Sequence, residues 1–329
     1  MGFEDMMGDH YLYDVVALGE LIVDFTPVEG ISHAFQQNAG GAPANVLAAV
    51  AGFHKRTCLI SMVGADEFGD FLYREIENRG VGTLGIGRTE RFNTTLAFVH
   101  LDEQGERSFT FYRKSGADLM LNASEIDYHI IKNARIFHFG SISMTDEPAR
   151  SATRQAIQTA REHGSIVTFD PNVRPRLWTS IREAKQVIAD VLNMVDVLKL
   201  SAEELMFITE RDDMNVGLQD LMSRYPCSII LLTLGSNGCI CCSREGSQWV
   251  PGYSVRTVDT TGAGDGFVGA FLGALLDLDK RPENVTMDEL VQLARVANAC
   301  GALVTTKHGG IPSMPSREQV EDFMENYGE

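Results

Sequence analysis

Short apolar runs alternate with longer amphipathic segments along most of this chain, and that alternation restricts the possible folds more than any other feature. The runs at 15–19, 57–63, 135–142, 166–169, 197–200 and 228–234 are rich in Val, Ile, Leu, Phe and Ala, as expected of strands buried on both faces. Helical patterns occupy 66–79, 146–163, 181–195 and 287–303, and the segment from Ser201 opens like a capping box with Glu204. Repeated strand–helix units predict an α/β fold of three layers, with a mainly parallel central sheet flanked by helices.

Ligands of such sheets bind beyond the carboxyl ends of the strands. Polar segments follow the apolar runs at Asp24, Asp170, Ser201, Thr233 and Asp259. Asp24 alone reads as a solvated residue, but the set together predicts one active site along one edge. The alternation is interrupted between 82 and 118, where 94–101 and 107–113 flank a polar turn at 102–106. This predicts an antiparallel hairpin belonging to a small lid.

Chemistry is most legible at 258–267, Val-Asp-Thr-Thr-Gly-Ala-Gly-Asp-Gly-Phe. It reads as a strand, a glycine turn and a helix N-terminus, where backbone N–H groups and the helix dipole converge on an anion. Asp265 in the first helical turn could accept a proton from a hydroxyl placed against a phosphoryl group. It could equally complement the dipole alone. Gly264, Gly266 and Gly269 also match a dinucleotide-binding pattern, but no second strand ending in an acid follows, which demotes an oxidoreductase. A second glycine pair, Gly40-Gly41, precedes Ala42-Pro43-Ala44-Asn45 at the start of an alanine-rich helix.

With 329 residues and 44% hydrophobic content, the chain can bury a large core. A net charge of -17 argues against nucleic-acid partners. No stretch approaches the length and apolarity of a membrane span, and the polar start lacks a signal-peptide pattern, so a soluble cytoplasmic protein with a flexible N-terminus at 1–10 is expected. The six cysteines read as reduced core thiols, and the eight histidines lack metal-ligand spacing. No Gly-x-x-x-x-Gly-Lys-Ser/Thr loop is present.

The 40–45 and 259–267 motifs resemble, in order and separation, the paired signatures of the ribokinase-like pfkB carbohydrate kinases. The 19–25 run, Phe111-Tyr112-Arg113 with Ala117-Asp118, and Asp170-Pro171-Asn172-x-Arg174 are most similar to fructokinases. The resemblance implies one kinase domain over 11–325, with a β lid from about 23–38 and 83–118. It implies transfer of the ATP γ-phosphate to a sugar, fructose first, with 2-keto-3-deoxygluconate, ribose and ribosides as alternatives. A sugar-binding protein without catalysis is a further alternative. Asp265 would be the base, and Gly262, Ala263 and Gly264 would donate to the phosphate. Asp24, Gly40, Gly41, Asn45, Arg113, Asn172 and Arg174 would hold the sugar. Lys199, Ser201, Thr233, Gly235, Gly238 and Asn298 would hold the nucleotide, and Glu204 would meet Mg²⁺ through water. Asp259, Thr261, Val304, Lys307, Gly309 and Ser313 would surround K⁺. The exposed edge of the hairpin at about 94–113 also predicts a homodimer paired through the lid.

Overall fold

A computed structural model describes residues 11–28, 30, 31, 33–101 and 107–327. The expected flexible start at 1–10 and the turn at 102–106 lie outside the described residues. In chain order the elements are β1 (Tyr13–Leu18), β2 (Ile22–Pro27), β3 (Phe35–Gly40), α1 (Ala42–Gly52), β4 (Thr57–Gly64), α2 (Glu67–Asn78), β5 (Gly82–Thr89), β6 (Leu96–Leu101) and β7 (Arg107–Tyr112). There follow α3 (Tyr128–Lys132), β8 (Ala134–Gly140), α4 (Ala149–Glu162), β9 (Ile166–Asp170), α5 (Ile181–Leu192), β10 (Val197–Ser201), α6 (Ala202–Thr209), α7 (Met214–Arg224) and β11 (Ile229–Thr233). The chain closes with β12 (Cys239–Ser243), β13 (Gly246–Val250), α8 (Ala263–Leu278), α9 (Met287–Val304) and α10 (Arg317–Glu325).

Nine strands form one sheet in the order β13-β12-β11-β10-β9-β8-β1-β4-β5. The sheet is parallel from β11 to β5, and β12 and β13 run antiparallel at one edge. The apolar runs show why it needs helices on both sides. In β1, Val15 and Ala17 enter one core with α1, α8 and α9, while Val16 and Leu18 enter the other with α4 and α5. All four side chains are fully buried, so neither face of the strand could be left to water.

Four shorter strands form a second sheet, in the order β3-β2-β6-β7. The expected hairpin is its β6–β7 pair. Three expectations are corrected. Asp24 does not follow the first strand; it lies inside β2, which pairs with β3 and β6 in the small sheet. Residues 82–89 belong not to that sheet but to the edge of the large one, because Gly82 and Gly85 let β5 approach β4 so closely that a Cβ would meet the Thr57 and Leu59 carbonyls at 2.5 and 2.6 Å. No strand precedes Gly262. The amides of Val258 and Asp259 both donate to the Thr305 carbonyl at the end of α9, so they are withdrawn from any ladder.

Candidate active site

The α8 N-terminus is shaped by Gly262, which adopts a left-handed φ of 78° at the N-cap. Asp259, 3% exposed, anchors the turn by accepting from the Thr261 amide at 2.6 Å and the Gly309 amide at 3.1 Å. The first bond into the helix runs from the Gly266 amide to the Gly262 carbonyl, so the Gly264 amide stays without a helical acceptor. The Ala263 amide, expected to face the phosphate, donates instead to the Thr260 carbonyl at 3.2 Å. The tight turn that positions Gly264 thus takes Ala263 out of the anion hole.

Asp265 is buried in the first turn, and its Oδ2 accepts from Asn45 Nδ2 at 2.7 Å. Burial pushes its carboxyl up to about 6; the Asp170 charge adds to this and the Asn45 bond opposes it. Asn45 reaches Asp265 because α1 begins at a backbone that only glycine permits. A Cβ on Gly40 would lie 2.1 Å from Asp24 Oδ2, and one on Gly41, at φ 117°, would lie 2.2 Å from the Glu20 carbonyl. Helix α1 has no capping side chain of its own; Glu20 Oε1 accepts from the Ala42 amide at 2.9 Å instead.

These groups share a cavity of about 390 Å³ whose walls include Glu20, Asp24, Asn45, Asp170, Lys199 and Asp265. Burial raises the Glu20 carboxyl to about 7. Asp24, half-buried at the wall, is also raised to about 7, by burial and then by the Glu20 charge. Gly41, Asn172 and Arg174 line the same space, while Gly40 backs Asp24. Arg113 does not reach it. Its guanidinium is spent in the interior on Asp118 at 2.6 Å, Thr145 Oγ1 at 2.8 Å and the Ile142 carbonyl at 3.0 Å. A cation placed there needs a buried carboxylate partner, and Asp118 supplies one five residues along.

Lys199, expected at the nucleotide, lines this same cavity with Nζ 2.9 Å from Asp170 Oδ2. Burial works against its charge, but the Asp170 carboxylate overrides that and holds the ammonium above its ordinary range. Ser201 and Glu204 form the capping box of α6 and line neither cavity. The Glu204 oxygens accept from the Val173 and Ser201 amides at 2.8 and 2.9 Å.

A second cavity, of about 420 Å³, opens on the other side of Gly264 and Thr260. Thr233, Gly235, Gly238 and Asn298 line it as expected, together with Tyr253, Ser254, Gly301 and Ala302. Asn298 Nδ2 donates to the Val250 and Pro251 carbonyls at 3.3 and 3.1 Å. Behind the Gly262 turn, Asp259 meets Gly309, the Lys307 amide donates to the Val304 carbonyl, and Ser313 Oγ donates to the Gly310 carbonyl at 2.7 Å. Among the described residues no three or more His, Cys, Asp or Glu side chains cluster as they would around a metal ion. The Val304 and Gly310 carbonyls and the Asp259 carboxylate bring oxygen atoms to the back of this turn, the hard donors that oxygen-seeking cations take.

Glu20, which closes an apolar run in the sequence, was missed as a site residue; Asp170, placed on the active edge by the same signal, was given no role there and lines the cavity. Tyr253 and Ser254 had no signal, because they lie outside any periodic element.

A family model described as pfkB family carbohydrate kinase matches residues 13–317. Fructokinase-1 of Zea mays is 40% identical over 317 residues, spanning 94% of this chain and 97% of that protein. A solved fructokinase from Xylella fastidiosa with bound ATP has a TM-score of 0.90 and 34% identity, covering 97% of this chain and 100% of its own. A fructokinase from Vibrio cholerae O395 in a fructose-, ADP- and calcium-bound form has a TM-score of 0.87 and 33% identity, covering 94% of this chain and 99% of its own. A double mutant of the Vibrio enzyme has been solved with fructose, ADP and potassium, with a TM-score of 0.87, 32% identity and coverage of 96% and 99%.

Proposed function

The chain belongs to the pfkB family of carbohydrate kinases, and from that premise we propose that it is a fructokinase, transferring the γ-phosphoryl group of ATP to a primary hydroxyl of fructose. The observation that carries the reading is the position of Asp265. It lies on the sugar-side cavity, one residue from Gly264, which lines both cavities. A hydroxyl held by Asp24 and Asn45 would face Asp265 as its base, while the Gly264 amide and the α8 dipole receive the transferring group. The fructose and ADP held by the Vibrio relative and the ATP held by the Xylella relative support a site that takes both a sugar and a nucleotide.

Mg²⁺ and K⁺ belong to the same proposal. Bound Mg²⁺ supplies charge neutralisation to the triphosphate, and Glu204 would meet it through water with the lone pairs its two amide bonds leave. K⁺ would sit among the carbonyls around Asp259, Thr261, Val304, Lys307 and Gly309, with Ser313, and order the Gly262 turn from behind. We assign residues 11–325 to one kinase domain and the small sheet to its lid. A homodimer through that sheet is supported by its apolar outer face, where Phe35, Phe98 and Tyr112 pack edge to face and Tyr112 is 65% exposed. A reducing, cytoplasmic setting is supported by six free and buried cysteines. No described helix is long and apolar enough to cross a membrane.

ADP release measured with fructose, ribose, 2-keto-3-deoxygluconate, glucose and inosine tests the activity. Fructose should give the highest kcat/KM. Release with none of them, despite sugar binding, would overturn the kinase reading, and a higher kcat/KM for another sugar would overturn the substrate. Equal rates in sodium, potassium and cation-depleted buffers would remove K⁺, and a monomer in light scattering at micromolar concentration would remove the dimer.

A further inference from the structure

One wall of the nucleotide-side cavity is a stretch without regular structure, between β13 and α8. Gly252, Tyr253, Ser254, Val255 and Thr257 all face the cavity. Among the described residues, no backbone–backbone hydrogen bond joins 252–257 to the rest of the chain, and such bonding resumes only at Val258. Asn298 holds the stretch at its beginning, through the Val250 and Pro251 carbonyls. Its middle is held from the far end of the sequence. The Ser254 amide donates to the Tyr327 hydroxyl at 2.7 Å. The Tyr253 ring packs edge-on against Tyr327 with centroids 4.7 Å apart, and both rings contact Phe323 at 5.3 and 5.5 Å. Helix α10, which carries Phe323, is itself seated in the core by the fully buried Val320.

We propose that Tyr327 is a positioning residue for the nucleotide: its hydroxyl and ring clamp Tyr253 and Ser254, and thereby set the shape of the wall that receives ATP. The physical reason is entropic. A wall without ladder bonds samples many conformations, and binding must then bear the cost of ordering it. Tyr327, two residues beyond α10 and packed on its Phe323, bears that cost in advance with one hydrogen bond and one edge-to-face contact to the wall. Tyr327 lines neither cavity, so it acts through Tyr253 and Ser254 and does not touch the substrate.

The inference rests on reading this cavity as the ATP site, and the test separates the two. Full-length wild type, Tyr327→Phe and Tyr327→Ala are compared for kcat, for KM of ATP at saturating fructose, and for KM of fructose at saturating ATP. Amide hydrogen exchange over 251–258 is followed with and without ATP. Tyr327→Phe keeps the ring and loses only the acceptor, so KM for ATP should rise about three- to tenfold, the factor one ordinary hydrogen bond is worth. The KM for fructose and kcat should stay within about twofold, and exchange over 251–258 should quicken. Tyr327→Ala should exceed this in the same direction. An unchanged KM for ATP in Tyr327→Phe, an equal rise in both KM values, or unaltered exchange would overturn the role of Tyr327. If ATP fails to slow exchange over 251–258 in the wild type, the cavity assignment falls, and the proposal with it.

Discussion

The proposed sugar-side cavity carries four carboxylates, Glu20, Asp24, Asp170 and Asp265, together with Lys199 and Arg174, whereas no charged side chain lines the adjoining nucleotide-side cavity. The two meet at Gly264 and Thr260. A neutral polyol presents hydroxyl donors, and buried carboxylates are strong, oriented acceptors for them. The phosphates of a nucleotide present negative charge, so carboxylates on its side would repel them, and on the proposed reading backbone N–H groups with a helix dipole would receive them instead. The carboxylates carry a cost. Three of them are raised to about 6 or 7 chiefly by burial, which means the folded protein penalises their ionised forms. The cavity lined by carboxylates is therefore where the folded protein carries an electrostatic cost.

Asp265→Asn separates the two quantities most sharply. Removing the base should lower kcat by about 10²- to 10⁴-fold. The melting temperature near pH 8 should be unchanged or higher, because the neutral amide removes a penalised charge. If Asp265 only complemented the helix dipole, stability would instead fall by about 0.3 to 1 kcal/mol with near-normal turnover. A folded variant keeping more than about a tenth of kcat would break the assignment. In the wild type, kcat/KM should fall as pH drops through about 6, where the Asp265 carboxyl takes up a proton and can no longer act as base; a profile flat between pH 5 and 7 would argue against it.

Asp24→Asn probes the sugar side without touching the chemistry. Replacing a charged acceptor by a neutral one should raise KM for fructose by about ten- to a hundredfold and leave KM for ATP within about twofold. Equal rises in both would show that the cavities are not separable. Asn298→Ala is the counterpart on the nucleotide side. It frees the Val250 and Pro251 carbonyls, and should raise KM for ATP about three- to tenfold with little change for fructose.

The smallest effect concerns stability alone. The folded Glu20 carboxyl titrates near 7, above its ordinary 4.5. Its contribution to stability is present in full below about pH 4.5 and is lost as pH rises through 7. Glu20→Gln cannot ionise but can still accept from the Ala42 amide. The difference in melting temperature, variant minus wild type, should therefore increase between pH 5 and 8, by about 2 to 4 °C for each kcal/mol recovered. A difference independent of pH would show that the Glu20 charge carries no penalty.

Local features of this protein were legible before folding because they depend on neighbours in sequence. Residues 262–265 were read as a glycine turn entering a helix, and the aliphatic runs as buried parallel strands; both follow from backbone freedom and side-chain period. Misreadings arose where two local patterns competed for partners far away. Val258 and Asp259 look like the end of a strand, but the Thr305 carbonyl takes both of the amides that a strand would use. Arg113 looks like a ligand contact until Asp118 and Thr145 claim its donors.

The alternating α/β plan, the glycine turn at Gly262 and the helical start that carries Asp265 were thus readable in the order of residues alone, because each is set within a few residues by φ, ψ and helical geometry. Folding of the whole chain is what set Asn45 against Asp265, 220 positions away. It also decided that β5 would join the large sheet while β2 left it, and that the chain's last aromatic residue would brace the nucleotide wall. Those outcomes depend on which donors, acceptors and apolar faces find one another when the whole chain is buried at once, and that competition is not written in any one segment.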